Sequence, residues 1–432
     1  MNTMEWFFWL LFALVFYTYL GYGLLLFVLV RLKRLFGRGG KPPQQVQDLA
    51  AQVAGNADKA TGEGLAAPLV GTSDKATSED QSRLTSGMEL PHITMLIAAY
   101  NEEDYVAQKV QNTRELQYPA DKLQQLWVTD GSTDRTPVLL SQYGDIEVLH
   151  QPQRAGKIAA MNRAMAFVTT PLVVFSDANT MLGRESLRRI ARMFENPRTG
   201  CVSGEKRIFT DKEGAASAVG EGIYWKYESK LKSWDAELHS VVGAAGELFA
   251  TRTELYQPVE PDTLLDDFVI SLRVAMQGYK IDYDPEAYAI EHASANVREE
   301  LKRKVRIAAG GIQAVVRLHP LLNIFKYGLL SFQYISHRVL RWTITPFALL
   351  SLLPLNIALA QVSVFYTVLL LLQVLFYGAA LTGWLFERRK IKIKLFFVPY
   401  YFFVMNYAVF AGLWRYLGKK QSVNWERARR AH

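Results

Sequence analysis

The chain has 432 residues, 50% hydrophobic and 12% aromatic, with 49 Lys plus Arg against 41 Asp plus Glu and a formal net charge of +8. That length holds one large domain together with membrane segments, and the single cysteine, Cys201, excludes an intramolecular disulfide and any multi-cysteine metal site and is expected in a core. The basic residues flank the apolar runs, which suits anionic lipid or a phosphorylated substrate and disfavours nucleic acid.

Residues 5–30 read EWFFWLLFALVFYTYLGYGLLLFVLV, with no charge from Trp6 to Val30. This run is longer than the roughly 20 residues a crossing needs. The basic flank RLKRLFGRGGK that follows predicts an N-terminus facing out and residue 31 onward facing in. A cleaved signal peptide fits poorly, because the run is too long, lacks a basic lead and has no clean small-residue cleavage site. Residues 1–32 are therefore expected to form an N-terminal transmembrane helix. Residues 33–90, a basic flank followed by Ala, Gly, Gln, Ser and Asp without apolar period, read as a flexible linker.

From 91 to 293, short apolar runs end in polar residues: ITMLIAAY, LQQLWVTD, IEVLH and PLVVFSDA. Helix-like stretches such as VAQKVQNTREL and KIAAMNRAMAF separate them. The alternation predicts an α/β domain with a mostly parallel sheet covered on both faces. Ligands of such sheets bind beyond the carboxyl ends of the strands.

Polar clusters stand at those ends. In AAYNEE, Tyr100 suits stacking on a nucleobase or packing at the sheet edge. In VTDGSTD, Asp130 suits a hydrogen bond from a base imide, with Gly131 turning the backbone; a turn capped by Ser132 or Asp134 is the plainer alternative. In RAGK, Arg154 and Lys157 precede a helix and suit a phosphate, or form a solvated basic loop. In SDANT, Asp177 and Asn179 fall on one side of an extended segment, where two oxygen ligands suit Mg²⁺ or Mn²⁺; a plain turn is the alternative. HSVVGAAGELFA lets backbone approach a sugar closely or makes a tight turn. In TLLDDF, Asp266 and Asp267 open a helix, where one carboxylate suits a general base or both stabilise the helix dipole.

Residues 294–338 are expected to form amphipathic interfacial helices, and 339–386 two transmembrane helices. Residues 387–432 hold the basic turn ERRKIKIK, a third hydrophobic segment at 395–414 and a basic tail. If that segment crosses, the basic tail ends outside, against the positive-inside rule; the alternative is a segment lying in the inner leaflet.

Taken in order, AAYNEE, TDGSTD, RAGK, SDANT and LDDF resemble the inverting family 2 glycosyltransferases, which have a Rossmann-like nucleotide-sugar fold of the GT-A type. The flanking apolar runs resemble the membrane-embedded branch, the cellulose, chitin, hyaluronan and poly-N-acetylglucosamine synthases. The similarity runs from Ile93 to His292. It implies a nucleotide-sugar site made by Tyr100 on uracil, Asp130 reading the base, Asn101 and Glu102 beside them, and Arg154 and Lys157 facing the diphosphate. Asp177 matches the first carboxylate of the family's Asp-x-Asp and Asn179 replaces the second, implying Mg²⁺ or Mn²⁺. Gly243, Gly246, Glu247, Arg303 and Arg306 are implied at the acceptor, and Asp267 as catalytic base with Asp266 beside it. The family's Gln-x-x-Arg-Trp falls on RKVRI, where Arg303 replaces Gln, Arg306 keeps the arginine and Ile307 replaces Trp. That departure puts processive elongation in doubt. RVLRW, 338–342, reads as an interfacial anchor, and the tail KKQSVNWERARR, with Lys420 and Trp425, resembles a gating loop.

The resemblance implies transfer of a sugar from a UDP-sugar to a glycan or lipid-linked acceptor, in polysaccharide synthesis. The enzyme would be a multi-pass protein of a bacterial inner membrane with a cytoplasmic catalytic domain, in contact with membrane lipid and not with nucleic acid. Two alternatives stand: single-sugar transfer to a polyprenyl phosphate or other lipid, and a membrane-anchored nucleotide-sugar-binding subunit with little catalysis, suggested by Asn179.

Overall fold

The computed structural model describes residues 2–36, 89–209, 216–292, 297–389, 391 and 393–418. Most of the linker expected at 33–90, and the tail with Lys420 and Trp425, lie outside the described residues. The chain divides into two compact units, residues 1–26 with 91–432, and residues 27–90. The described part of the second unit is the basic end of a helix and residues 89–90.

Helix α1 (Thr3–Phe16) opens on a capping box, with Asn2 Oδ1 accepting from the Glu5 N–H at 2.9 Å and the Glu5 carboxylate accepting from the Asn2 N–H at 2.7 Å. A π turn at Tyr17–Gly21 leads into α2 (Tyr22–Phe36). The resulting helix of 34 residues is long and apolar enough to cross a membrane.

An eight-stranded sheet follows: β1 (Ile93–Ala99), β2 (Leu123–Asp130), β3 (Glu147–Gln151), β4 (Leu172–Asp177), β5 (Met181–Leu182), β6 (Thr199–Phe209), β7 (Leu248–Arg252) and β8 (Lys280–His292), ordered β3-β2-β1-β4-β7-β6-β8-β5. All seven residues of β1 are buried, as expected of a strand covered on both faces. The expected parallel arrangement holds for β3-β2-β1-β4. Beyond β4 the sheet is mixed, because β7 runs antiparallel to both β4 and β6. The loop that precedes β7 therefore lies at the same sheet end as Asp177, since antiparallel β7 begins where β4 finishes. Cys201 is wholly buried in the core, as expected.

Helices α3 (Val106–Arg114), α4 (Thr136–Leu140), α5 (Lys157–Met165) and α6 (Ser186–Met193) cross between strands, and α7 (Ala216–Leu238) links β6 to β7. Helix α8 (Asp266–Met276) precedes β8. Helix α9 (Val297–Arg317) falls in the stretch expected to be interfacial and is bound to the loop before α8: Gln313 accepts from the Leu264 N–H at 3.0 Å and donates to the Asp262 carbonyl at 2.9 Å.

The C-terminal part contains α10 (Leu329–Tyr334), a π turn at Ile335–Val339, α11 (Leu340–Trp342), α12 (Ile344–Ala360), α13 (Val364–Arg388) and α14 (Lys394–Leu417). The 339–386 run does form two long helices. Helix α13 and residues Leu395–Leu417 are each long and apolar enough to cross a membrane, whereas 329–342 and α12 form a pair bent by 52°. Trp342 is not a free anchor. It packs over Gly311, whose missing side chain seats the indole, and its ring lies 5.2 Å from Phe268, edge to face.

A buried ionic cluster ties the first helix to this region. His337 Nδ1 lies 2.6 Å from Asp235, its Nε2 lies 3.0 Å from Glu228, and the Tyr22 hydroxyl donates to Asp235 at 2.5 Å. Arg338 and Arg341 pair with Glu228 at 2.6 and 3.1 Å. Burial pushes the Glu228 carboxyl up, but Arg338, His337 and Arg341 together hold it well below the carboxylate range.

Candidate active site

The loops after β1 and β2 are laced together. Asn101 adopts a left-handed backbone (φ 54°) and its side-chain oxygen accepts from the Thr133 N–H at 2.8 Å. The N–H of the buried Glu102 donates to the Thr136 hydroxyl at 2.8 Å. Asn101 and Glu102 thus shape the strand-end loop, and Tyr100 stands half-buried at its rim.

Asp130, at the end of β2, is buried. Its carboxylate accepts from the Ala155 N–H at 3.0 and 3.1 Å and from the Gly156 N–H at 2.6 Å. These bonds fasten the RAGK loop to the sheet and leave the carboxylate capacity for one further donor. Gly131 has φ 66°, and a Cβ there would stand 2.6 Å from the Arg154 Cβ, so only glycine permits the loops to close so tightly. The Arg154 guanidinium lies 3.7 Å from the centre of the Tyr100 ring, a cation–π contact between the two residues implied for base and diphosphate. A small cleft opens here, walled by Tyr100, Asp130, Arg154 and Lys157.

Lys157 opens α5 and lines both this cleft and a neighbouring one that reaches Asp177, Gly246 and Phe249. Its ammonium lies 2.8 Å from Asp177 and 3.3 Å from Asp266. Burial pushes the Lys157 amine down, yet Asp177 and Asp266 outweigh it and raise the group above its ordinary value. Asp267 stands next to this pair. Burial first, then the Asp266 charge, push its carboxyl up from 3.8 to about 7, against the pull of Lys157. A carboxylate so placed is suited to take a proton near neutral pH.

Asp177 ends β4, but Asn179 does not continue the extended segment. The Thr180 hydroxyl donates back to the Asp177 carbonyl at 3.0 Å and closes a turn, so strand alternation does not set the relation between the two side chains. The donor chemistry still fits a hard divalent ion, because Mg²⁺ is commonly held by one or two carboxylates plus substrate phosphates. Among the described residues no group of three His, Cys, Asp or Glu could hold a metal unaided. Asp177 and Asn179 therefore fit such an ion only with the oxygens of a bound diphosphate.

On the far side lies the small-residue loop. Gly243 has φ 86°, and a Cβ there would collide with the Phe268 ring. A Cβ on Gly246 would stand 3.2 Å from Asp267 Oδ2, so this backbone borders the carboxylate. Glu247 turns to Lys206, which also pairs with Glu291. Burial pushes the Glu247 carboxyl up, but Lys206 holds it far below its ordinary range. Arg303 is bound to Glu300 at 3.1 Å and lies 3.7 Å from Glu291. Burial pushes the Arg306 guanidinium below its ordinary value, opposed by Asp266, with Asp177 and Asp267 also acting on it. Of the two arginines, Arg306 belongs to the acidic centre and Arg303 to the salt-bridged flank.

Sequence reasoning missed Lys206, Lys109 and the ionic cluster around His337. Lys109 did leave a signal: it shares the buried helix face of Val106, Val110 and Thr113, where a charge is out of place. His337 left none, because its partners come from two distant segments, Glu228 and Asp235 on α7 and Tyr22 on α2.

Residues 94–257 match the profile of glycosyl transferase family 2. A beta-monoglucosyldiacylglycerol synthase of Synechocystis is 29% identical over 209 residues, covering 45% of this chain and 43% of the relative. A poly-beta-1,6-N-acetyl-D-glucosamine synthase of Staphylococcus aureus is 25% identical over 240 residues, covering 53% of this chain and 57% of the relative. The matched part thus spans about half the length of these curated relatives. Among solved structures, a mannosyltransferase from Pyrobaculum calidifontis in complex with GDP-Man and Mn²⁺ aligns with a TM-score of 0.59 at 22% identity, covering 79% of this chain and 93% of that one. The likeness establishes a shared GT-A fold.

Proposed function

Because residues 94–257 form a glycosyl transferase family 2 domain, we propose that the chain is an inverting glycosyltransferase using a UDP-sugar and a glycan or lipid-linked hydroxyl acceptor at a membrane face. The reading rests on one observation above all: Lys157 lies 2.8 Å from Asp177 and 3.3 Å from Asp266, so the strand-end acids and the helix-start acids share one centre with Asp267.

In this mechanism Tyr100 and Asp130 receive the base. Arg154 and Lys157 face the diphosphate, and Arg306 stands on the acceptor side of the acidic centre. A divalent ion held by Asp177 and Asn179 would neutralise charge on the leaving diphosphate. Asp267 takes the proton from the acceptor hydroxyl as its oxygen bonds to the anomeric carbon and the bond from that carbon to the diphosphate oxygen breaks. Attack opposite the leaving group inverts the centre. The Gly246 backbone, close to Asp267, leaves room for the acceptor beside the base.

A second reading, single addition to a lipid acceptor, draws on Ile307, which offers no aromatic platform for a growing sugar chain. It also draws on the similarity to the beta-monoglucosyldiacylglycerol synthase. Purified protein in lipid nanodiscs, given radiolabelled UDP-sugars one at a time, separates the two: a long polymer supports the first and a single-sugar lipid product the second. Nucleotide binding without any transfer would refute both.

A further inference from the structure

Lys109, on α3, has no part in the mechanism above, yet it is wholly buried. Its ammonium donates to Ser176 Oγ at 2.8 Å and to the Thr180 carbonyl at 2.7 Å. Those two acceptors bracket the turn that carries Asp177 and Asn179. The Ser176 hydroxyl in turn donates to the Glu247 carbonyl at 3.2 Å. One cation therefore underlies both the donor-side turn and the end of the Gly243–Glu247 loop.

Such a burial is costly, since dehydrating an ammonium takes several kcal/mol even after the surroundings relax. Among the described residues, no carboxylate is one of its hydrogen-bond partners. The charge it feels is that of Asp177, which opposes the effect of burial; burial still pushes the amine down to about 7. A neutral side chain would serve for simple packing on this helix face, where Val106 and Val110 are its neighbours.

We propose that Lys109 is a positioning residue for the donor site: from beneath, it clamps the 176–180 turn so that Asp177 and Asn179 meet the metal and diphosphate, and it locks that turn to the acceptor-side loop. The inference rests on the donor-site reading of Asp177.

The test uses the full chain in detergent and compares wild type with Lys109→Met, Lys109→Gln and Ser176→Ala. Binding of Mn²⁺ in the presence of UDP is read from the loss of the free-ion EPR signal, alongside donor KM, kcat and the thermal midpoint. Lys109→Met is expected to weaken Mn²⁺ binding by about 10–100-fold, the usual effect of removing a residue behind a metal ligand. Donor KM should rise with it, while the thermal midpoint holds or increases because a buried charge has gone. Lys109→Gln, which keeps hydrogen-bonding capacity, should recover part of the loss. Ser176→Ala removes the same contact from the other side and carries the test if Lys109→Met does not fold. Wild-type Mn²⁺ binding and donor KM in both Lys109→Met and Ser176→Ala would overturn the inference, as would a loss confined to the thermal midpoint. If wild type itself retains no Mn²⁺ with UDP, the donor-site reading fails and the role of Lys109 falls with it.

Discussion

Replacing Asp267 with Asn tests the assignment of the base through two quantities with different pH dependence. Burial and the neighbouring Asp266 raise the Asp267 carboxyl from 3.8 to about 7. For an acid raised in this way, the folded chain holds a proton that the unfolded chain has already released. Ionised Asp267 therefore destabilises the fold, progressively as pH rises from about 4 and fully above about 7. Taken over that interval, the penalty reaches roughly 4 kcal/mol. Asparagine keeps the shape and removes the penalty. Asp267→Asn should thus melt above wild type at pH 8, by about 2–4 °C for each kcal/mol recovered, and converge with it near pH 4. Its transfer rate should fall by about 10²–10⁴-fold, the range for loss of a general base, with UDP affinity retained. Wild-type transfer should rise with pH through about 7. Melting curves from pH 4 to 8, with initial rates on the same samples, supply both readouts. A melting difference independent of pH would refute the electrostatic account, and turnover near the wild-type rate would remove Asp267 as base.

Chelation by EDTA should abolish transfer and added Mn²⁺ or Mg²⁺ should restore it; full rates in chelator would contradict the role given to Asp177. His337→Ala removes the imidazole between Glu228 and Asp235, and should cost about 1–3 kcal/mol, as for buried polar groups left without a hydrogen-bond partner, visible as a lowered thermal midpoint. Gly412→Leu should be damaging too, because a Cβ on Gly412 would stand 2.7 Å from the Ala309 nitrogen and 2.8 Å from the Ala308 Cβ. Overpacking of this kind costs about 1–3 kcal/mol, and since α9 carries Arg303 and Arg306, the transfer rate should fall together with the thermal midpoint.

What was legible in the sequence was whatever local pattern decides. The strands of the parallel half announced themselves as short apolar runs with polar ends, and those ends carry Asp130, Lys157 and Asp177 to one region. The antiparallel β7 was not legible, because strand direction depends on where a distant loop returns. The relation of Asn179 to Asp177 was misjudged for a local reason: a threonine three residues on turns the chain back before alternation can apply. Trp342 looked like a membrane anchor because its neighbours are apolar and basic, and only the tertiary fold reveals the glycine that receives it. The sequence set Arg306 at the motif's arginine and Arg303 at its glutamine, but not their surroundings: in the fold Arg303 pairs with Glu300 and Glu291, while Asp266 acts on Arg306.

The Tyr22 hydroxyl reaches Asp235 from the middle of the first long helix, 2.5 Å away. An excised catalytic domain beginning after that helix would present Asp235 and its imidazole neighbour to water or to detergent, at the foot of the helix that leads into the acceptor-side loop. A fragment beginning after that helix is thus a poor substitute for the whole chain: trimming the helix also removes the hydroxyl that Tyr22 gives to Asp235.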